Sequence, residues 1–196
     1  MIPNRTNRVY INYKNIDKIY GFIYKNDSDL QEVDNKYDEA KDSLLVTVLK
    51  KKTPIKTFEQ NLPKHDDYFS YSTEILYPEL EKGSYWVVFR SDNDTLTYDS
   101  PIGYTEVKAT NLVIQSFIDK DLQHHIQVLN RTSGKPIENA DVVLPEFRLK
   151  TDKNGKAVYQ LNEIKYETYK NFYCIYEKDT LQFINFHQYK PESKNG

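Results

Sequence analysis

Apolar and polar residues alternate in steps of two along most of this chain, and the clearest run spans residues 109–161. Leu112, Ile114 and Ser116 alternate with Val113, Gln115 and Phe117. Ile126 and Val128 then point one way while Gln127 and Leu129 point the other, the two-residue period of a pleated strand. Ser133-Gly134-Lys135-Pro136 joins a residue that accepts positive φ to one that fixes φ, so the chain turns there. Residues 137–144 resume as a strand. Asp152-Lys153-Asn154-Gly155 forms a hairpin turn into a strand at 157–159.

The same reading from the N-terminus predicts strands at residues 9–13 (VYINY) and 19–24 (IYGFIY), joined by a short polar link at 14–17. Residues 26–43 are polar and acidic. Leu30, Val33, Tyr37 and Ala40 are spaced for one or two amphipathic helical turns. Residues 44–49 (LLVTVL) read as a strand, and Lys50-Lys51-Lys52 as its solvated exit at a sheet edge. Further strands are expected within 53–62 and 68–76, at 85–90 (YWVVFR), and at 96–98 and 104–107. In the second half, 172–176 (FYCIY) and 181–186 (LQFINF) are apolar enough for core strands. Trp86 is expected in the core, on the face opposite to Tyr85 and Val87.

Short strands separated by turn signals describe sandwiches. The predicted class is all-β: two tandem antiparallel β-sandwiches, residues 1–108 and 109–196, with at most one short helix in the first. A chain of 196 residues suits this division, since cores of about 100 residues bury enough surface to fold. Seventeen Tyr and nine Phe fit half-buried pleated surfaces. A net charge of −2 gives no reason to expect nucleic acid or a membrane surface as partner. The lone Cys174 makes no internal disulfide. No charged-then-apolar leader and no apolar run near 18 residues occurs, so the expectation is a soluble chain without direct membrane insertion. The tail Lys190–Gly196 reads as a linker or a cut end.

Three regions carry a family likeness. VYINYKNIDKIYGFIYKND, residues 9–27, resembles the opening strands of a macroglobulin-like domain in bacterial, Bacteroidetes-type alpha-2-macroglobulin family proteins. Residues 62–92 resemble the same family's passage into a Leu-x-x-Gly-x-Tyr turn and strand, here Leu80-Glu81-Lys82-Gly83-Ser84-Tyr85. ATNLVI (109–114), VLNRTSGKPIENADVVL (128–144) and TDKNGKAVY (151–159) are similar to the start of the next such domain. The resemblance implies a non-catalytic scaffold fragment with two macroglobulin-like domains, from a large cell-envelope protein, commonly a lipoprotein, that traps proteinases. It implies export to the periplasm or outer surface. The partners would be neighbouring domains of the same larger chain and, through the full-length protein, proteinases. It supplies no cofactor, metal or catalytic residue. The family's thioester needs Cys-x-Glu-Gln, whereas Cys174 is followed by Ile175-Tyr176-Glu177, so that motif is absent.

Other candidate chemistry is thin. Cys174 sits in an apolar strand and reads as a buried structural thiol. Adjacent His124 and His125 on a strand face opposite sides, so they do not share a zinc. His65-Asp66-Asp67 offers a His and two carboxylates in a loop, with no second cluster near in sequence. Asp152-Lys153-Asn154-Gly155 lacks the calcium-loop pattern and its distal Glu, and Asp92-Asn93-Asp94 reads as a turn. There is no G-x-S-x-G and no Gly-rich phosphate loop. The glycosylation sequons at Asn4, Asn26, Asn93 and Asn130 matter only in a eukaryotic secretory pathway. The alternative to scaffold is a stand-alone extracellular binding module, an adhesin or a glycan-binding sandwich, using Tyr68, Phe69, Tyr71, Tyr98 and Tyr104. An enzyme remains conceivable only with a catalytic domain outside this chain.

Overall fold

The computed structural model describes residues 1–34, 38–144, 148–160 and 170–186. Tyr37, Leu161 and the tail Lys190–Gly196 lie outside the described residues. The chain divides into two compact units, Pro3–Ala109 and Thr110–Gly196. Both are built from antiparallel sheets, so the all-β class holds.

Unit 1 contains β1 (Asn7–Tyr13), β2 (Lys18–Lys25), α1 (Ser28–Asp34), α2 (Asp38–Leu49), β3 (Lys56–Asn61), β4 (Tyr71–Tyr77), β5 (Gly83–Arg90) and β6 (Ile102–Ala109). Its main sheet has the order β3-β2-β5-β6, and β1 pairs with β4 in a two-stranded sheet. Tyr85 and Val87 pack with Ile23, Tyr77 and Leu80 on one face of β5. Trp86 and Val88 pack with Tyr24, Leu30, Leu45 and Leu49 on the other. Trp86 therefore faces away from Tyr85 and Val87, as the two-residue period requires. β5 is covered on both sides, which is why YWVVF, residues 85–89, is an unbroken apolar run. The Gln60 amide ties β3 to β4: its Oε1 accepts from Leu76 N at 3.2 Å, and its Nε2 donates to Glu74 O at 3.5 Å.

The helical layer departs from expectation, with two helices where at most one short one was predicted. Residues 44–49 are the last turns of α2, and no strand forms there. A six-residue apolar run has no decisive period, and its β-branched Val46, Thr47 and Val48 favoured the strand reading. Those residues cost a helix only about 0.5 kcal/mol each. Burying Leu45 and Leu49 against the sheet returns about 1.5–3 kcal/mol apiece, so packing wins. Lys50-Lys51-Lys52 accordingly follow a helix C-terminus, where their amides donate to the carbonyls of Val46, Val48 and Leu49. Lys52 Nζ reaches back to Asp27 at 2.5 Å and Asp29 at 3.0 Å. Asp27 caps α1 by accepting from Leu30 N at 3.3 Å. Residues 96–98, expected as strand, form none; a turn at 97–100 follows, with Ser100 N donating to Thr97 O at 3.3 Å.

Unit 2 contains β7 (Leu112–Ile118), β8 (Gln123–Asn130), β9 (Asp141–Val143), β10 (Arg148–Lys150), β11 (Lys156–Gln160), β12 (Lys170–Tyr176) and β13 (Asp179–Phe186). One sheet has the order β11-β8-β7 and the other β10-β9-β12-β13. Leu112, Ile126 and Val128 from the first meet Val142, Phe172 and Cys174 from the second. Asn130 Oδ1 accepts from Thr132 N and Ser133 N at 3.0 Å each and organises the expected turn. The strand predicted over 137–144 shortens to β9. Buried Thr151 holds the chain before it, accepting from Ala140 N and donating to Ile137 O. The 152–155 turn is tight as predicted, but it is no hairpin. It carries the chain from β10 in one sheet to β11 in the other. Asp152 Oδ1 accepts from Asn154 N and Lys156 N at 2.8 Å each, which leaves no calcium-loop geometry.

Candidate functional site

The predicted loop residues His65, Asp66, Asp67, Tyr68, Phe69 and Tyr71 come together at one end of unit 1, around a cleft of about 450 Å³. β1 delivers its floor. Tyr13 is buried and its hydroxyl donates to Pro63 O at 3.1 Å, which anchors the start of the loop. Beyond it the β1–β2 link turns through Asn15, at φ 54°, and forms one wall with Ile16 and Asp17. Asp17 O accepts from Leu62 N at 2.8 Å, which fixes that wall against the end of β3.

Asp67 shapes the loop itself. Its Oδ1 accepts from Phe69 N at 3.0 Å and its Oδ2 from the Tyr71 hydroxyl at 2.5 Å. The Tyr71 bond, and secondarily the Phe69 N–H, hold the Asp67 carboxyl below the usual carboxylate range, while the same carboxylate raises the Tyr71 phenol. The His65 ring lies flat on Tyr71, with centroids 3.4 Å apart and planes 7° apart. With Asp67 and the Tyr71 ring so engaged, Tyr68 and Phe69 project outward at 85% and 72% exposure.

Among the described residues no group of three His, Cys, Asp or Glu is placed to hold a metal ion. The two other tyrosines predicted for binding lie elsewhere in unit 1. Tyr98 sits under Lys50 Nζ at 4.7 Å. Tyr104 stacks on Trp86 at 5.4 Å, and its hydroxyl donates to Asp42 at 2.7 Å. The five predicted aromatics are thus not one platform.

The remaining candidates are structural. His124 is fully buried with Ile126 and Val128, while His125 on the opposite face stacks on Phe117 and lies 2.8 Å from Asp119 Oδ2. His124 Nε2 is 2.5 Å from Ser116 Oγ and its Nδ1 2.5 Å from the Tyr159 hydroxyl. Cys174 is buried, and burial pushes its thiol up to about 12, away from the thiolate that reactivity requires. Asp92 Oδ1 accepts from Arg90 Nη2 at 2.5 Å and from Asp94 N at 3.1 Å, consistent with a turn. Asn26 and Asn130 are engaged in hydrogen bonds, Asn26 with Glu106 at 3.1 Å and Asn130 within its own turn.

Sequence reasoning missed Tyr13, Asn15 and Asp17 as parts of the cleft. Residues 14–17 read only as a polar link, and nothing in that spacing brings them beside residues 63–71. The Ser116–His124–Tyr159 cluster was equally invisible, because it depends on β11 pairing with β8.

No family profile and no curated protein matches the chain. Its fold is similar to that of solved alpha-2-macroglobulin fragments from Escherichia coli. A fragment spanning domains MG0-NIE-MG1 superposes with a TM-score of 0.62 at 10% identity, covering 93% of this chain and 60% of that one. A fragment spanning NIE-MG1 gives 0.58 at 9% identity, covering 89% of this chain and 86% of that one. The chain thus spans about 60% of the longer fragment.

Proposed function

We propose that this chain is a non-catalytic scaffold portion of a large alpha-2-macroglobulin-like, proteinase-trapping protein of the bacterial cell envelope. The observation that carries this reading is the fold likeness running almost end to end with the NIE-MG1 fragment, over 89% of this chain and 86% of that one. On this reading residues 1–108 and 109–196 are two domains of one longer chain. The first, with its helical layer, takes the place of NIE, and the second that of MG1. Their work is mechanical. Core side chains fill each unit, and Cys174 is buried without a thioester sequence around it, so neighbouring domains are the partners and proteinases are reached only through the whole protein. On this reading the protein works in the envelope, as a periplasmic protein or a surface lipoprotein. No helix among the described residues is long and apolar enough to cross a membrane.

The test is the mass of the native polypeptide in its source cell, read by immunoblot with antibodies to this chain. A band several times larger than 23.2 kDa is expected. A band at that mass would overturn the scaffold reading, and so would inhibition of a proteinase by the isolated chain alone.

A further inference from the structure

The cleft between the β1–β2 link and residues 63–71 has a ligand chemistry of its own, independent of the scaffold reading. We infer that it receives a cationic side chain, arginine or lysine, presented by a partner polypeptide. Two features of the cleft point there together: its exposed aromatic rings and its excess of carboxylate.

Tyr68 and Phe69 stand at its mouth with their rings in solvent. Behind them Tyr13, His65 and Tyr71 form an aromatic floor, with Tyr13 6.4 Å from His65 and 6.2 Å from Tyr71 by ring centroid. The open faces of Tyr68 and Phe69 carry negative charge and attract a cation within about 6 Å. The carboxylates add to this. Asp17, Asp66 and Asp67 line the cleft against a single lysine, Lys64. Lys64 lies 3.7 Å from Asp66, and both side chains are exposed, so that pair is worth little. Asp67 is turned to Phe69 and Tyr71. Asp17 has no ion-pair or side-chain hydrogen-bond partner among the described residues, and it faces the same opening.

This combination selects among ligands. An anion meets three carboxylates and is repelled. A bare metal ion requires converging oxygen or nitrogen ligands, and the described residues offer no such group of three. A neutral sugar can stack on Tyr68 and Phe69, but it leaves the charge of Asp17 uncompensated. A guanidinium or ammonium group on an apolar stem satisfies both parts: its stem lies along the aromatic mouth and its charge meets Asp17. The volume of about 450 Å³ admits one such side chain with its flanking backbone.

The experiment titrates the full chain with acetyl-Gly-Arg-Gly-amide and with its neutral citrulline counterpart, following backbone amide resonances by NMR. The arginine peptide is expected to shift Asp17, Tyr68 and Phe69 saturably and at least about 5-fold more tightly than the citrulline peptide, with the difference shrinking as salt is added. Asp17→Asn and Tyr68→Ala are each expected to weaken the arginine peptide by roughly 3- to 10-fold. Both residues are exposed, so an unchanged amide spectrum elsewhere verifies the fold. Equal binding of the two peptides, shifts confined to other surfaces, or no saturation overturns the inference. So does a neutral oligosaccharide that binds the cleft through Tyr68 and Phe69 with no dependence on Asp17, since that outcome is the glycan-binding module instead.

Discussion

Acidification should unlock unit 2 through His124. The imidazole is fully buried, 2.5 Å from Ser116 Oγ and 2.5 Å from the Tyr159 hydroxyl, with the Phe172 ring edge-on at 6.0 Å. Burial, and secondarily the neighbouring His125, lowers its pKa from 6.5 to about 4. The folded value therefore lies below the unfolded one. Between these two pH values the unfolded chain binds a proton that the folded chain refuses, so stability falls as pH falls through this window. A gap from 6.5 to about 4, at about 1.4 kcal/mol per pH unit, amounts to about 3 kcal/mol lost by pH 4. Below that both states are protonated and this group costs nothing more. The lone tryptophan lies in unit 1, so its fluorescence is the wrong reporter. The assay is urea unfolding at several pH values between 7 and 4.5, followed through the amide resonances of Ile126 and Val128 in β8. The His124 ring resonance, titrated in the folded protein, reports the pKa directly. A ring that titrates near 6.5, or a β8 unfolding free energy that stays level across the window, refutes the reasoning.

Three further outcomes are expected. Trp86→Ala should cost about 3–5 kcal/mol, because the ring is 1% exposed between the sheet and α2, and circular dichroism in urea measures it without the indole. A loss under about 1 kcal/mol would contradict that core position. Gly155→Ala should destabilise by more than Gly134→Ala in thermal melts. Both sit at positive φ, 70° and 69°, but a Cβ at Gly155 would lie 2.5 Å from the Val128 carbonyl oxygen, whereas one at Gly134 meets open space. The Gly134 change should cost about 1–2 kcal/mol, and equal losses at the two positions would remove the contact from the explanation. Cys174, buried with its thiol near 12, should resist iodoacetamide in the folded chain and react only on unfolding. Rapid labelling of native protein would show that strand β12 is open.

Much of the architecture could be read from local pattern. Residues 9–13, 19–24, 85–90 and 172–176 all lie within observed strands, because alternation in a half-buried strand, or a short apolar run in a fully buried one, records the environment each strand will meet. The Leu80-x-x-Gly83-x-Tyr85 stretch also has a local physical basis. The Tyr85 hydroxyl folds back to donate to Glu81 O at 3.0 Å, passing so close to Gly83 that a Cβ there would stand 3.3 Å from its oxygen. Residues 44–49 failed for the opposite reason. Their intrinsic preference is for a strand, and only burial against Trp86 and Val88 makes them helix.

The candidate site divides along the same line. Composition and spacing alone were enough to set aside a thioester at Cys174 and a zinc shared by His124 and His125, since both need residues at fixed short separations along the chain. They were also enough to single out His65 through Phe69 as a polar and aromatic loop. That this loop is a cleft, that Asp17 and Tyr13 complete it, and that Tyr98 and Tyr104 belong elsewhere are facts of packing between segments about fifty residues apart, as in the Tyr13–Pro63 bond. Strand periodicity reports which face of an element is buried. It carries no record of which other element buries it, because any apolar partner of suitable shape gives the same alternation. That choice is made by the whole chain closing on itself, and with it the place of every side chain that a ligand could touch.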